Sequence, residues 1–329
     1  MNKICRLILI NVCLNFCFSL YGQEIQNILV HDPVLIKEDT LYHLFCTGWG
    51  ISKFYSKDLI NWTKDKAVFE NPPAWAVEKV IGFKGHIWAP DICFHKGRYY
   101  LFYSISTFGK NNSCIGVASN QTLNSNSPMY KWIDHGMVVQ SVKCRDFWNA
   151  IDPALVFDQD SIPWLAFGSF WGGIKLVKLR NDLLGVATPE EWYTIAKRPR
   201  KFEINDSLPG DGAVEAPFII RKNGNYYLFV SFDYCCRGVN SDYKIAVGRS
   251  KNVYGPYIDK DGESMDKGGG SIVLKGNERW SGVGHCAFFT DGNIDYLIFH
   301  GYDKNDNGKP KLLIKKINWV DEWPVVTID

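Results

Sequence analysis

The chain has 329 residues, a formal net charge of +2 and an aromatic share of 15%. That charge balance offers nothing to a nucleic acid or another polyanion, so neutral partners fit it best. Ten cysteines are present, but no CxxC pair stands among them, which argues against a zinc site.

In chain order, the first residues set the compartment. Lys3 and Arg6 precede the apolar stretch Leu7 to Leu20, the charged start and short apolar core of a secretory signal. The stretch is too short to span a bilayer, so no transmembrane segment is expected. Gly22 is a small residue suited to precede the cut, which gives a signal peptide over 1–22 and a mature chain over 23–329 beginning at Gln23. A lipoprotein anchor is disfavoured, because Cys13 follows Val12 and Cys17 follows Phe16 where a small residue is needed. The mature protein is therefore expected to be secreted or periplasmic. Seven cysteines remain in it, and buried free thiols are the expectation; a bridge from Cys235 or Cys236 to Cys286 stays open.

The rest of the chain repeats one pattern five times. A polar anchor opens a short apolar run, a turn follows, and an aromatic-rich strand closes the unit. The copies start at His31-Asp32-Pro33, Ala89-Pro90-Asp91, Ile151-Asp152-Pro153, Val214-Glu215-Ala216-Pro217 and Gly284-His285. They lie about sixty residues apart and use up the mature chain, leaving no room for a second domain. Lys96-Gly97, Asn223-Gly224 and Asp291-Gly292 are hairpin-turn chemistry after the opening runs. Small antiparallel sheets that cannot bury both faces must stack around an axis until the ring closes, which also protects their edges. The predicted fold is all-β, a five-bladed β-propeller of four-stranded antiparallel blades forming a single domain. With the anchors on the innermost strands, they meet at one mouth of the central channel.

Asp32, Asp152, Glu215 and Asp91 then form a series. A carboxylate at the start of an apolar strand is costly unless solvated, paired or used. One alone is explained by turn-capping, but an acid at one unit position in four copies is not. Carboxylates facing one channel suit glycoside hydrolysis by inversion, in which one activates water and a protonated partner, about 6.5–9.5 Å away, protonates the leaving oxygen. The acid needs a raised pKa, from desolvation or a neighbouring carboxylate.

These stretches, together with Phe167-Gly168-Ser169-Phe170-Trp171 and Ser231 to Gly238, resemble glycoside hydrolase family 43, and within it the endo-arabinanases. The resemblance covers nearly all of the mature chain. It implies that Asp32 is the general base, Glu215 the general acid and Asp152 the residue that tunes Glu215 and orients substrate. It further implies substrate contacts at Trp88, Gly116, Asn149, Ser169, Phe170 and Trp171, with core packing an equal reading for the two tryptophans. His285 matches a histidine near a channel metal, usually taken as calcium; Val283 and Cys286 depart from the family's usual neighbours there. No organic cofactor is implied.

The function expected on this basis is cleavage of internal α-1,5 bonds of arabinan with inversion, by a monomer. Exo-acting α-L-arabinofuranosidase or β-xylosidase action is the near alternative. A noncatalytic carbohydrate-binding propeller is a further one, and the retained acids argue against it.

Overall fold

The computed structural model describes residues 28–200 and 212–329; the expected signal peptide, 1–22, lies outside them. The chain is a five-bladed β-propeller. Blade one is Val34–Glu38, Leu41–Cys46, Ser52–Ser56 and Thr63–Lys64. Blade two is His86–His95, Arg98–Ile105, Ser113–Asn120 and Ile133–Ser141, with the short strand Gly48–Trp49 added at its inner edge. Blade three is Ala154–Phe157, Pro163–Phe167, Ile174–Lys178 and Trp192–Ala196. Blade four is Val214–Lys222, Asn225–Phe232, Lys244–Ser250 and Ser271–Leu274. All of these pairings are antiparallel.

Blade five departs from the simple repeat. Trp280–Asp291, Ile294–Asp303 and Lys309–Lys316 supply three strands. The fourth place is taken by the start of the described chain, where Leu29 bridges Lys311 and the Val30 N–H donates to the Pro310 carbonyl at 3.2 Å. The ring is thus closed by joining its two ends, and Val30 is buried in the joint.

Turn chemistry explains the inner hairpins. Lys96 and Gly97 have φ of 46 and 80°, and Asn223 and Gly224 have φ of 50 and 73°, the paired left-handed conformation that two-residue hairpin loops require.

The core is divided among the joints between blades. The described residues form five apolar clusters, each spanning one pair of neighbouring blades. Phe45, Ile87 and Leu101 join blades one and two; Phe102, Val117 and Leu165 join two and three. Trp164, Leu176 and Leu228 join three and four; Tyr227, Val247 and Phe299 join four and five; Leu35, Leu44 and Ile298 join five and one. Each fully buried side chain of this kind contributes roughly 1.5–3 kcal/mol. Apolar groups therefore fill the spaces between sheets, and polar groups are left to the channel mouth. No helix among the described residues is long and apolar enough to cross a membrane.

Candidate active site

Every inner strand carries the same backbone irregularity, just before its first residue in blades one and three and within it in blades two, four and five. Asp32, Ala89, Asp152, Ala216 and His285 have φ of 54, 44, 59, 53 and 50°, a region that costs a non-glycine residue about 1–3 kcal/mol. Each stands two residues before Val34, Asp91, Ala154, Phe218 or Ala287, where regular pairing with the second strand is in force. In blades two, four and five the register also shifts at this point, as a bulge does when it re-aims a side chain.

This repeat corrects one expectation. The four acids do not share a unit position: Asp32 and Asp152 occupy the left-handed place itself, Glu215 comes one residue before it and Asp91 two residues after it. The chemistry follows the offset. The Asp91 carboxylate accepts the Leu155 N–H at 2.7 Å and ties blade two to blade three. Burial pushes its pKa up to about 7, although the hydrogen bonds it accepts oppose that rise.

Asp32 lies among imidazoles. Its Oδ1 is 2.9 Å from His31 Nδ1 and 3.1 Å from His285 Nδ1, and its Oδ2 accepts the Thr47 hydroxyl proton at 2.5 Å. Burial raises its pKa, but the fields of His31 and His285 and the hydrogen bonds from them outweigh burial and hold it well below the ordinary value. His285 responds in the opposite sense. Burial would lower its pKa, yet Asp32, Asp152 and Glu215 together raise it to about 9. His300 is the neutral member: its Nδ1 accepts the Asp32 backbone N–H at 3.2 Å, and burial keeps its pKa well below the usual imidazole value. Tyr302 braces this group, its hydroxyl 2.6 Å from His31 Nε2 and 3.3 Å from His300 Nε2.

Glu215 lies among hydroxyls. Ser169 Oγ is 2.7 Å from its Oε2 and Tyr243 Oη is 2.8 Å from its Oε1. Burial raises its pKa, and Asp32 adds to the rise, while the two hydroxyls and His285 oppose it. Tyr243 reaches it by crossing Gly284, where a Cβ would sit 2.1 Å from the tyrosine ring; this is why glycine precedes His285. Asp152 accepts the Ala216 N–H at 3.1 Å. Burial raises its pKa well above the ordinary value, with Glu215 and Asp32 adding to the rise and His285 opposing it.

The remaining predicted residues divide into those brought to this mouth and those that are not. Ser169 joins Glu215 directly and also forms a strand bridge with it. Phe170 donates its backbone N–H to the Val214 carbonyl at 2.8 Å and packs its ring against Tyr234. Trp88 is half-buried just ahead of the blade-two bulge and donates from Nε1 to His86 Nδ1 at 2.9 Å. Asn149 is buried, with its Oδ1 held by the Ser113 hydroxyl at 2.7 Å. Trp171 is only 3% exposed. Gly116 lies in the third strand of blade two opposite Tyr103, whose ring leaves no space for a Cβ.

Residues absent from the sequence reading complete the site: Thr47, Tyr243, His300 and Tyr302. Cys235 and Cys236, in the loop between the second and third strands of blade four, are bonded to each other, which corrects the expectation of free thiols. Cys236 Sγ lies 3.8 Å from His31 Nε2, so the bridge borders the Asp32 group. Cys46, Cys114 and Cys286 are buried free thiols as expected.

The donors at the mouth do not by themselves suit calcium. Calcium takes six to eight oxygen ligands. The described groups with metal-ligand spacing, His31 with Asp32 and His300 and His31 with Cys235 and Cys236, are rich in nitrogen and sulfur, and neither includes His285.

A sequence profile for Glycosyl hydrolases family 43 matches residues 21–324. The chain is 51% identical over 298 residues to the extracellular exo-alpha-(1->5)-L-arabinofuranosidase ArbA of Cellvibrio japonicus, covering 90% of this chain and 86% of that protein. It is 47% identical over 303 residues to the extracellular endo-alpha-(1->5)-L-arabinanase 1 of Bacillus subtilis, covering 91% and 88%. A solved structure of the Cellvibrio cellulosa alpha-L-arabinanase complexed with arabinohexaose matches with a TM-score of 0.90 at 50% identity, covering 91% of this chain and 96% of that one.

Proposed function

The chain belongs to glycosyl hydrolase family 43, and from that premise we propose that it hydrolyses internal α-1,5 bonds of arabinan by a single inverting displacement. The observation that carries the reading is the opposite environment of two buried carboxylates at one channel mouth. Asp32, held ionised by His31 and His285, takes the proton of the attacking water. Glu215, whose burial favours the protonated form, gives its proton to the leaving oxygen. Two acids pushed apart in this way are the pattern of an acid and base pair. Asp152 accepts the N–H of the peptide after Glu215, which supports a role in positioning the acid.

Trp88, Asn149, Phe170, Trp171 and the backbone at Gly116 are proposed sugar contacts. A calcium ion near His285 would be held through water, and no step is routed through it. The word extracellular in the names of two relatives supports export, and the exported protein is proposed to act on arabinan or arabino-oligosaccharides as a monomer.

The exo reading has its own support in the 51% identical exo-acting relative. Incubation of the mature protein with debranched linear arabinan, beside an Asp32→Ala control, decides between them. Mixed oligosaccharides at early times are expected; arabinose or one short product from the start moves the assignment to exo action. Absence of product from arabinan and xylan overturns the hydrolase reading. Proton NMR of the first-formed anomer tests inversion.

A further inference from the structure

The left-handed residues that open the five blades are not held by their own sheets. In each case the backbone N–H donates to a side chain of the preceding blade. Ala89 donates to Thr47 Oγ1 at 2.8 Å, Asp152 to Ser104 Oγ at 2.9 Å and His285 to Ser231 Oγ at 2.8 Å. Asp32 donates across the ring closure to His300 Nδ1 at 3.2 Å. The four holders share one register place. Each stands two residues beyond the residue that pairs with the position two past the left-handed one: Phe45, Phe102, Phe229 and Ile298.

Blade three breaks the rule. Counting two residues beyond Ala166, the partner of Ala154, gives Gly168. Its φ is +133°, and a Cβ there would lie 2.8 Å from the Gly173 carbonyl oxygen. No side chain fits. The Ala216 N–H is instead accepted by Asp152 Oδ2 at 3.1 Å. Asp152 is therefore held by one blade and itself holds the next.

We propose that Thr47, Ser104, Ser231 and His300 form a ring of positioning residues, and that Ser104 fixes Glu215 at second hand, through the Asp152 backbone and the Asp152 carboxylate. The inference rests on the hydrolase reading for its kinetic consequences and on geometry alone for its structural ones. Ser104 is fully buried in the second strand of blade two. Without its oxygen the Asp152 N–H loses its acceptor at a backbone conformation that is costly to hold. Displacement of Asp152 then frees the peptide that carries Glu215. A shift of about 1 Å in a catalytic group costs up to about 100-fold in rate.

The test compares Ser104→Ala, Ser104→Thr and, as a remote control, Ser56→Ala at the end of the third strand of blade one, whose hydroxyl accepts the Asp58 and Leu59 N–H groups. Two readouts are taken: kinetics on linear arabinan, and amide exchange at Asp152 and Ala216. Ser104→Ala is expected to lower kcat by at least about 10-fold at nearly unchanged KM and to speed exchange at both amides, including Ala216, which Ser104 does not touch. Ser104→Thr restores both, and Ser56→Ala changes neither. Unchanged exchange at Ala216, or a loss of activity that only follows a loss of folded protein, overturns the proposal. If the wild-type protein proves inactive on every arabinan and xylan, the hydrolase reading falls, and the exchange at Ala216 alone decides whether the relay exists.

Discussion

Asp32 and Glu215 are both buried acids at the same channel mouth, and they differ in what surrounds them. Asp32 faces His31 and His285 at 2.9 and 3.1 Å, groups that favour its anion. Glu215 faces the hydroxyls of Ser169 and Tyr243 at 2.7 and 2.8 Å. A hydroxyl can turn, donating to a carboxylate or accepting from a carboxylic acid. Partners that carry charge fix a protonation state, whereas partners that rotate permit a proton to leave and return. A base that must stay ionised between turnovers is served by the first arrangement, and an acid that must be recharged is served by the second.

The strongest way to break the contrast is to remove the groups themselves. Glu215→Gln and Asp32→Asn are each expected to lower kcat on arabinan by about 100-fold to 10,000-fold. They should differ on an aryl arabinofuranoside, whose leaving group needs no proton: Glu215→Gln keeps much of its rate there and Asp32→Asn does not. Equal loss on both substrates would remove the assignment of roles.

A smaller effect is expected of His285→Gln. Its positive charge lowers the pKa of both Asp32 and Glu215, so losing it raises both. Activity requires Asp32 ionised and Glu215 protonated, so the acid and basic limbs of the kcat/KM profile both move to higher pH. Motion of one limb alone would show that His285 serves only one acid.

Tyr243→Phe sharpens the contrast further by removing one donor that favours ionised Glu215. The basic limb alone moves to higher pH, and the acid limb, set by Asp32, stays in place. Smallest of all is reduction of the Cys235–Cys236 bridge, which touches the Asp32 group only at its edge through His31. A few-fold rise in KM with kcat kept is expected, on the order of 1 kcal/mol or less in substrate binding. A collapse of kcat would place the bridge within the catalytic group.

The fold was legible in the sequence because each blade repeats a pattern dictated by strand and turn chemistry, and five polar anchors in like frames announce five equivalent strands. The three carboxylates were legible for the same reason. Ser104, Thr47 and Ser231 were not, because a hydroxyl at the end of an aromatic strand looks like any strand terminus until the register aligns all five blades. His31 and His300 meet only across the closure of the ring, with ring centroids 3.9 Å apart, and no local pattern joins residues so distant in the chain. The shared unit position assigned to the acids was wrong by one or two residues, because a bulge changes the count without changing the hydrophobic pattern.

The joint made by Leu29 and Lys311 also sets an order in time. The two strands it unites are roughly 280 residues apart, among the most distant contacts such a chain can make, and distant contacts are slow to form. The N-terminal segment leaves the ribosome first and must wait for Lys309–Lys316, with its own edge unpaired meanwhile. An unpaired edge is a template for a second chain. The clasp that finishes the ring is thus the step at which folding and aggregation compete, far from the residues that give the ring its use.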